Sequence, residues 1–245
     1  MTLDPYEFHT TVALSAAAYP QAVRDGRASG TAHAVDAAEI ECQGLELIAN
    51  YHIPDTDTEF YIAVDRWGNR YIVIRGTTCL KDWKQNLRTS LVPWNACVDP
   101  IQSIDAGRVH AGHYAALRSI AHIIVPEVEK LPRGAIVKVA GHSLGGSVAN
   151  QLAVALAARF GRRQIIAPTI AACRSGNATF VEFAASLPNL TIRRYYHRCI
   201  DTVAYIPPLL WGYRHLPGIN VPRWGGHLVS SYQESAAQIL DAHLR

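Results

Sequence analysis

Charged residues are scarce in this 245-residue chain, and the two signs are almost balanced. Asp, Glu, Lys and Arg make up 18% of the sequence, with 23 basic side chains against 20 acidic ones and a formal charge of +3. No run of basic residues occurs, so the charge pattern gives no indication of a nucleic-acid-binding surface. With 49% hydrophobic residues, the composition favours a globular protein over a chain with a long disordered tail.

Long apolar runs are missing too. No stretch approaches the roughly 20 apolar residues needed to span a bilayer. The segment "VALSAAA" at residues 12–18 resembles part of a signal peptide, but Asp4 and Glu7 stand where basic residues belong, and the first basic residue is Arg24. The sequence therefore predicts no transmembrane segment, no signal peptide and a cytoplasmic location, while export by a signal-independent route stays open.

Cysteines are few and odd in number, and no C-x-x-C pair occurs among them. They are Cys42, Cys79, Cys97, Cys173 and Cys199. This pattern favours reduced, mostly buried thiols over a disulfide framework. We interpret Cys79 and Cys173 as packing residues rather than nucleophiles, because neither has a predicted helix N-terminus and a base beside it.

Strands alternate with helices along most of the chain. Residues 59–64 and 71–74, rich in β-branched and aromatic side chains, predict a hairpin around Trp67-Gly68-Asn69. The stretches "AIVKVAG", "QIIAPTIAAC" and "LTIRRYYHRC" predict further strands, with helical spacing of apolar residues between and after them. Pro126 predicts a kink or a break in the helix before the first of these strands. The alternation predicts a single α/β domain over residues 1–245, with a mostly parallel sheet covered by helices on both faces.

The stretch "KVAGHSLGGSVAN", residues 138–150, places one serine between a strand pattern and a helical pattern. Gly141-His142-Ser143-Leu144-Gly145 fits G-x-S-x-G, and strand–turn–helix is the context that a nucleophile elbow requires. The turn is so tight that the residues two before and two after the serine need to lack bulky side chains, and both are glycine. Two other interpretations stay open: a turn that only saves space, or a helix N-terminus that binds phosphate, although neither common phosphate-loop pattern occurs.

A reactive serine needs a base and an orienting carboxylate, which follow it in the order acid then histidine on an α/β-hydrolase sheet. Asp201 directly follows a predicted strand, so its carboxylate belongs on the same edge of the sheet as the elbow. The other acidic residues after Ser143 lie in predicted helices: Glu182, Glu234 and Asp241. Asp201 is therefore the predicted acid.

Three histidines follow Asp201. His243 lies in the predicted terminal helix, and His215 lies in the aromatic stretch "WGYRHLPG". His227 follows Trp224-Gly225-Gly226 and precedes the last helix, so a flexible approach lets its imidazole reach the serine. The predicted triad is Ser143, Asp201 and His227.

Several segments together resemble the class 3 lipase family, α/β-hydrolases that cleave fatty acyl esters. In family order over residues 72–232 they are "IVIRGTT", the Asp82-Trp83 pair, "VHAGHY", "GHSLGG", "CRSGNATF", "CIDTVAYIPP" and "GGHLVSSY". The resemblance implies the α/β-hydrolase fold and the activity of a serine esterase or lipase. It also implies a lipid or ester substrate, transient contact with a lipid interface, and neither a metal nor an organic cofactor.

The resemblance assigns further residues to the site. The residue after Arg-Gly, Thr77, would donate to the oxyanion together with the N–H of Leu144. A candidate lid and its flanking loop would occupy residues 78–108, where the pattern has no sustained period, as is usual for functional loops. Trp83, Leu87 and Trp94 would offer it apolar contacts. Because this segment is rich in charged and amide side chains, we expect weak activation at oil interfaces.

The sequence departs from the family pattern at His113, where phenylalanine is usual, and at Cys173, where proline is usual. His113 is expected either to line the acyl or alcohol pocket or, as we favour, to be a half-buried packing residue. His110 and His113 are spaced like metal ligands, but no third ligand accompanies them, so no metal site is expected.

The sequence as a whole predicts a serine hydrolase that cleaves fatty acyl esters of acylglycerols through an acyl-enzyme. Two alternatives stay open. One is a phospholipase A1 acting on membrane glycerophospholipids, including an exported toxin. The other is a non-catalytic hydrolase-fold module that binds an acyl ligand or a protein, against which the three triad candidates argue.

Overall fold

Two sheets organise the part of the chain that the computed structural model describes, residues 2–19, 35–76, 90–94, 106–198, 201–222 and 225–245. The strands are β1 (Leu45–Ile53), β2 (Thr58–Asp65), β3 (Arg70–Ile74), β4 (Leu91–Pro93), β5 (Arg108–His110), β6 (Val137–His142), β7 (Ile165–Ile170), β8 (Gly176–Asn177), β9 (Leu190–His197), β10 (Tyr213–Arg214) and β11 (Gly218–Val221). The helices are α1 (Pro5–Ala17), α2 (Ala37–Cys42), α3 (Ala111–Glu129), α4 (Ser143–Arg159), α5 (Ala178–Ser186) and α6 (Val229–Leu244). Short 3-10 turns occupy Pro54–Thr56, Val203–Tyr205 and Leu209–Trp211.

The main sheet has seven strands in the order β1-β2-β3-β6-β7-β9-β11. Strands β1, β2 and β3 pair antiparallel, and β3, β6, β7, β9 and β11 are all parallel to one another. The prediction of a mostly parallel sheet is confirmed. Because parallel strands end at the same edge, the connections that follow β3, β6, β7, β9 and β11 all begin at one edge, called here the carboxyl edge.

Helices cover both faces of this sheet, as the alternation of side chains along β2 shows. Phe60 and Ile62 point into the apolar core formed with α3 and α4. Tyr61 and Ala63 point to the other face, where they pack against α1. Strands buried on both faces read as continuous apolar runs, which is why β2, β3 and β7 carried a clear signal in the sequence.

The first and last helices, α1 and α6, lie against each other. Asp4 caps α1 by accepting hydrogen bonds from the N–H groups of Tyr6 and Glu7, and Pro5 occupies the first helical position. The ring of Tyr6 meets the ring of His243 in α6 edge-to-face, with the centroids 5.6 Å apart. Among the described residues, no helix is both long and apolar enough to cross a bilayer.

The predicted hairpin is confirmed as β2 and β3, and its turn is held by one side chain. The carboxylate of Asp65 accepts hydrogen bonds from the N–H groups of Trp67 and Asn69, at 2.9 and 3.0 Å. Gly68 completes the turn with a φ of 82°, a conformation that favours glycine. Trp67 is exposed and lies at the edge of the sheet opposite to the carboxyl edge, because β3 begins there.

The expected break at Pro126 does not occur, since α3 runs unbroken from Ala111 to Glu129. Pro126 lies in the last turn of this helix, where the missing N–H and the ring clash affect one carbonyl, that of His122. A proline in the last turn, unlike one at the centre of a helix, therefore leaves the direction of most of α3 unchanged.

The second sheet is small, antiparallel and ordered β10-β8-β5-β4. All of its strands belong to connections that follow β3, β7 and β9, so this sheet stands on the carboxyl edge. The sequence did not predict it, because strands of two or three residues carry too few side chains to show a period. Strand β4 lies within residues 78–108, the candidate lid and its flanking loop, so residues 91–93 of that range are paired with β5 rather than irregular.

Candidate active site

The turn between β6 and α4 places Ser143 in a strained conformation. Its φ is 59°, in the left-handed region that side chains other than glycine rarely adopt. A Cβ atom on Gly141 would lie 2.6 Å from the carbonyl oxygen of Ile74, and one on Gly145 would clash with that same oxygen. Both glycines are therefore required by the close approach of β3, and the turn has the strained geometry of a nucleophile elbow.

Ser143, His227 and Asp201 form one hydrogen-bonded chain. The serine Oγ lies 2.7 Å from Nε2 of His227, and Nδ1 of His227 lies 2.8 Å from Oδ1 of Asp201. An ionised carboxylate only accepts, so Nδ1 carries the imidazole proton and Nε2 is left to accept from the serine hydroxyl. The three residues come from the connections after β6, β9 and β11, and they meet at the carboxyl edge.

Asp201 is buried, yet it is held in the ionised form. Burial alone would raise the pKa of its carboxyl, but the hydrogen bond and the charge of His227 act against burial and lower it. The hydrogen bonds from the Tyr232 hydroxyl, at 2.7 Å, and from the N–H of Ala204, at 3.2 Å, lower it further. The net result is a pKa below the usual value of 3.8.

Tyr232 of α6 binds the acid of the site, a role that the sequence did not predict. Its hydroxyl donates to Oδ2 of Asp201 and accepts the N–H of His197 at 3.0 Å. The ring stacks on the imidazole of His197, with the centroids 4.0 Å apart and the planes at 4°. Tyr232 therefore fixes the second carboxylate oxygen of Asp201.

A second polar chain approaches the site from β3 and α1 through His142. The N–H of Gly76 donates to the hydroxyl of Tyr19 at 3.0 Å, and that hydroxyl lies 3.0 Å from Nδ1 of His142. Nε2 of His142 lies 2.7 Å from the backbone carbonyl oxygen of His227. Because a carbonyl only accepts, Nε2 carries the proton of a neutral His142, and Tyr19 donates to Nδ1.

Burial keeps both groups of this chain neutral. It lowers the pKa of His142 to about 3, aided by the proximity of His227. It also raises the pKa of the Tyr19 hydroxyl far above its ordinary value. The tautomer of His142 is therefore the same throughout the neutral pH range, and the carbonyl of His227 always faces a donor.

The predicted oxyanion-hole residues differ in what can be described. Leu144 lies in the first turn of α4, where backbone N–H groups have no partner within the helix and can bind a negative charge. Thr77, Trp83 and Leu87 lie outside the described residues, as does most of the candidate lid. Gly76, the residue before Thr77, is described, and its N–H is bound to Tyr19.

Trp94 corrects the prediction of an apolar lid or substrate contact. It is buried in the core, where its indole packs against Tyr114 and Phe180 with ring centroids 5.6 and 5.2 Å apart. The indole therefore stabilises the junction between α3, α5 and the small sheet. Trp94 directly follows β4, which fixes the direction of its side chain.

His113 is a packing residue, but fully buried rather than half-buried as expected. Its imidazole stacks on that of His110, with centroids 3.9 Å apart. His110 caps α3, because its Nδ1 accepts the N–H groups of Gly112 and His113 at 3.1 and 3.3 Å. Burial lowers the pKa of both imidazoles, that of His110 to about 4, so the pair stays neutral.

The thiols are consistent with the interpretation of Cys173 as a packing residue. It is buried, and burial raises the pKa of its thiol to about 12, which suppresses the reactive thiolate. Cys42 is an exception to the expectation of mostly buried thiols, because it is exposed. Cys79, Cys97 and Cys199 lie outside the described residues.

One group of side chains has the spacing of metal ligands. His52, Asp57 and Glu59 place one ligand atom each within 4.8 Å of one another, at the β1–β2 connection. The carboxylate of Glu59 is, however, bound to the guanidinium of Arg75 in a buried ion pair. A cation there would compete with Arg75, so we assign no metal site to this group.

A strained serine at a strand-to-helix turn, hydrogen-bonded to a histidine and a buried aspartate, is the arrangement of a serine hydrolase. The family model for Lipase (class 3) matches residues 71–211, more than half of the chain. The chain belongs to the class 3 lipase family. The match begins in β3 and ends in the Leu209–Trp211 turn. It therefore includes Ser143 and Asp201 of the hydrogen-bonded triad, whereas His227 lies beyond it.

Individual lipases resemble the chain over different lengths. Lipase A of Sodiomyces alcalophilus is 30% identical over 129 residues, which cover 47% of this chain and only 31% of that protein. The lipase from Rhizopus microsporus var. chinensis superposes with a TM-score of 0.72 and 24% identity, covering 90% of this chain and 76% of that one. A triacylglycerol lipase from Penicillium expansum superposes with a TM-score of 0.71 and 19% identity, and the match covers 94% of this chain and 84% of that one. These structures establish the α/β-hydrolase fold.

Proposed function

We propose that this class 3 lipase hydrolyses carboxylic esters of fatty acids, with Ser143 as the nucleophile. The observation that carries the proposal is the unbroken hydrogen-bonded chain from Asp201 through His227 to Ser143, at 2.8 and 2.7 Å. His227 takes the serine proton as Oγ attacks the ester carbonyl, and Asp201 stabilises the imidazolium that forms. The negative oxygen of the tetrahedral intermediate is bound by the N–H of Leu144, together with Thr77.

The intermediate then collapses to an acyl-enzyme. His227 returns its proton to the departing alcohol, and a water molecule, deprotonated by the same imidazole, releases the fatty acid. Every proton transfer in these two reaction steps passes through His227. The low pKa of Asp201 supports the assignment, because a carboxyl that stays ionised keeps the imidazole in the tautomer that accepts from serine.

Replacement of the serine tests the proposal. Ser143→Ala should lower kcat for a p-nitrophenyl acyl ester by about ten-thousand-fold or more, since the nucleophile is removed while the surrounding polar groups remain. Ser147→Ala is a matched control, because Ser147 is buried in the same helix one turn later, with its hydroxyl 3.3 Å from the carbonyl oxygens of Ser143 and Cys173. An active-site organophosphonate should label the wild type and not Ser143→Ala. Hydrolysis that survives in Ser143→Ala would refute the triad, and a wild type that neither hydrolyses esters nor reacts with the phosphonate would be a binding module.

Acylglycerols are the substrates we propose, with membrane glycerophospholipids as the second candidate. The first is supported by the similarity to solved lipases, one of which is a triacylglycerol lipase. The second is supported by two exposed arginines on the carboxyl edge, Arg108 and Arg214, that form no ion pair within the described part of the chain. Fatty acid release from tributyrin, compared with release from phosphatidylglycerol vesicles, separates the two candidates.

A further inference from the structure

Three consecutive apolar side chains project into solvent after the cis bond between Ile206 and Pro207. Leu209, Leu210 and Trp211 are 50%, 96% and 55% exposed, and together they form one 3-10 turn, called here the LLW turn. Large apolar side chains are seldom exposed in a contiguous group on a monomer unless the group binds something. The folded chain gains no stability from a leucine that is almost fully in water.

The LLW turn stands on the edge of the sheet that carries Ser143. It lies in the connection that follows β9, after Asp201, and it leads directly into β10 of the small sheet. The segment that leads into β8 contacts α4 one and two turns after the serine, because Ser175 donates to the carbonyl of Ser147 at 3.4 Å and accepts from Gln151 at 2.9 Å. A surface that binds the LLW turn therefore faces the same edge as the active site.

Two guanidinium groups flank the turn. Arg214 donates to the carbonyl oxygens of Leu209 and Tyr213 at 3.3 and 2.8 Å. Arg108 donates to the carbonyl oxygen of Leu91. Leu91 lies next to the end of the LLW turn, since a Cβ atom added to Gly212 would be 3.4 Å from its side chain. Both arginines are exposed beside the apolar turn, and in the described ranges no carboxylate forms an ion pair with either of them.

We propose that the LLW turn, with Arg108 and Arg214, docks the protein on an anionic phospholipid bilayer. The leucine and tryptophan side chains enter the interfacial region, where tryptophan is favoured, and the guanidinium groups bind headgroup phosphates. A second copy of the chain is a poorer occupant, because three side chains fall short of the about 800 Å² per partner that a stable dimer buries. The proposal rests on the proposed function for the choice of a lipid.

Vesicle binding by the Ser143→Ala variant tests the docking surface without hydrolysis, so its outcome does not depend on the outcome of the activity assays. Co-sedimentation should be stronger with phosphatidylcholine vesicles that contain phosphatidylglycerol than with phosphatidylcholine alone. Adding Leu210→Ser or Trp211→Ser should weaken partitioning by about tenfold each, from the loss of buried apolar area. Trp67→Ser is the matched control, because Trp67 is also exposed but is stacked under Arg66 at the opposite edge, and it should bind like Ser143→Ala.

The arginines are tested separately from the apolar side chains. Arg108→Gln and Arg214→Gln should each weaken binding to the anionic vesicles by about fivefold and leave binding to neutral vesicles unchanged. Thermal unfolding of each variant checks that the fold is kept. Three results would overturn the proposal: folded Leu210→Ser and Trp211→Ser variants that bind as well as the parent, equal losses in Trp67→Ser, or a dimer in sedimentation equilibrium that Leu210→Ser dissociates.

Discussion

Tyr19 joins two parts of the site that lie far apart in the sequence. Its hydroxyl uses both of its capacities, donating to Nδ1 of His142 and accepting from the N–H of Gly76. His142 passes the constraint on to the carbonyl of His227, while Gly76 precedes the predicted oxyanion donor Thr77. One buried hydroxyl therefore positions both the backbone of the base, through His142, and Gly76, the residue before the predicted oxyanion donor.

We predict that Tyr19→Phe lowers kcat by about tenfold and changes KM little. The substitution leaves Nδ1 of His142 and the N–H of Gly76 buried without partners, so both are free to shift, and the free energy of unfolding should fall by about 1–3 kcal/mol. Steady-state kinetics on a soluble p-nitrophenyl ester measures the first effect. Tyr61→Phe is the matched control, because Tyr61 is also buried and donates to the α1 backbone, at Leu14, but does not touch the site. Equal losses of kcat in both variants would mean that Tyr19 acts through stability alone.

Tyr232→Phe should also reduce kcat/KM, by about tenfold or more. The variant removes the hydrogen bond to Oδ2 of Asp201, and hydrogen bonds to charged groups contribute about 1.5–3 kcal/mol. Without that donor the pKa of the Asp201 carboxyl should rise. The phenylalanine ring keeps the stacking on His197 but leaves the N–H of that residue without its acceptor, so the free energy of unfolding should fall by about 1–3 kcal/mol together with kcat/KM. Wild-type kcat/KM in this variant would show that Asp201 needs no second donor.

The sequence predicted the residues of the triad but not the residues that hold them. The order serine, acid, histidine left Asp201 and His227 as well-placed candidates, and the structure brings both into hydrogen-bonding distance of their partners. No comparable rule pointed to Tyr19, because its contact with His142 spans 123 positions in the chain. A tyrosine near an apolar helix face has the same appearance in a sequence whether its hydroxyl is bound to the site or to water.

At the scale of elements, the N-terminus of α3 is built around two neutral imidazoles. His110 caps the helix and His113 stacks on the cap within the first turn. Nε2 of His110 has no hydrogen-bond partner among the described residues, and neither has Nδ1 of His113. Protonation would place a positive charge at the positive end of the helix, remove the acceptor for two N–H groups and repel the neighbouring ring.

Acid should therefore destabilise this helix through His110. Its pKa is about 4 in the folded chain and 6.5 for the unperturbed side chain, so the unfolded state binds the proton first. The stability is fully present above pH 6.5 and is lost as the pH falls towards 4, by on the order of 3 kcal/mol for this group. His110→Asn keeps an acceptor for the cap but does not titrate. Melting temperatures between pH 7.5 and 4.5 should fall less steeply in this variant, and parallel curves for the two proteins would contradict the assignment.

Elements with many residues were predictable, and the short ones were not. The hairpin of β2 and β3 follows from eight and five residues of strand-forming sequence around a turn with Asp65, Gly68 and Asn69. Strands β8 and β10 have two residues each and are formed by pairing on the carboxyl edge, where β10 pairs with β8 and β8 also pairs with β5. Their neighbours in space, and not their own side chains, decide their conformation, so no local pattern identified them.

At the scale of the whole molecule, the two edges of the main sheet have different chemistry. The carboxyl edge carries Ser143, the small sheet and the LLW turn, while the other edge carries short polar turns such as Asp65–Asn69. The parallel strand order that creates this asymmetry followed from the alternation of strands and helices in the sequence. The burial of Trp94 did not follow from the sequence, because a tryptophan in a segment without a sustained period is equally compatible with a surface contact and with a place in the core.

The contact of Tyr6 with His243 brings the start of α1 close to the end of α6. A short glycine- and serine-rich linker between its two ends should permit a circular permutant with new ends at Gly161 and Arg162, an exposed loop where a Cβ on Gly161 would touch nothing. We expect this permutant to fold and to keep its esterase kcat within about twofold. A permutant with its new ends beside Asn189 should instead fail to fold, because the side-chain amide of that residue donates to the carbonyls of Ala157, Phe160 and Arg163. If both permutants folded equally well, the order of the elements along the chain would matter less than their packing.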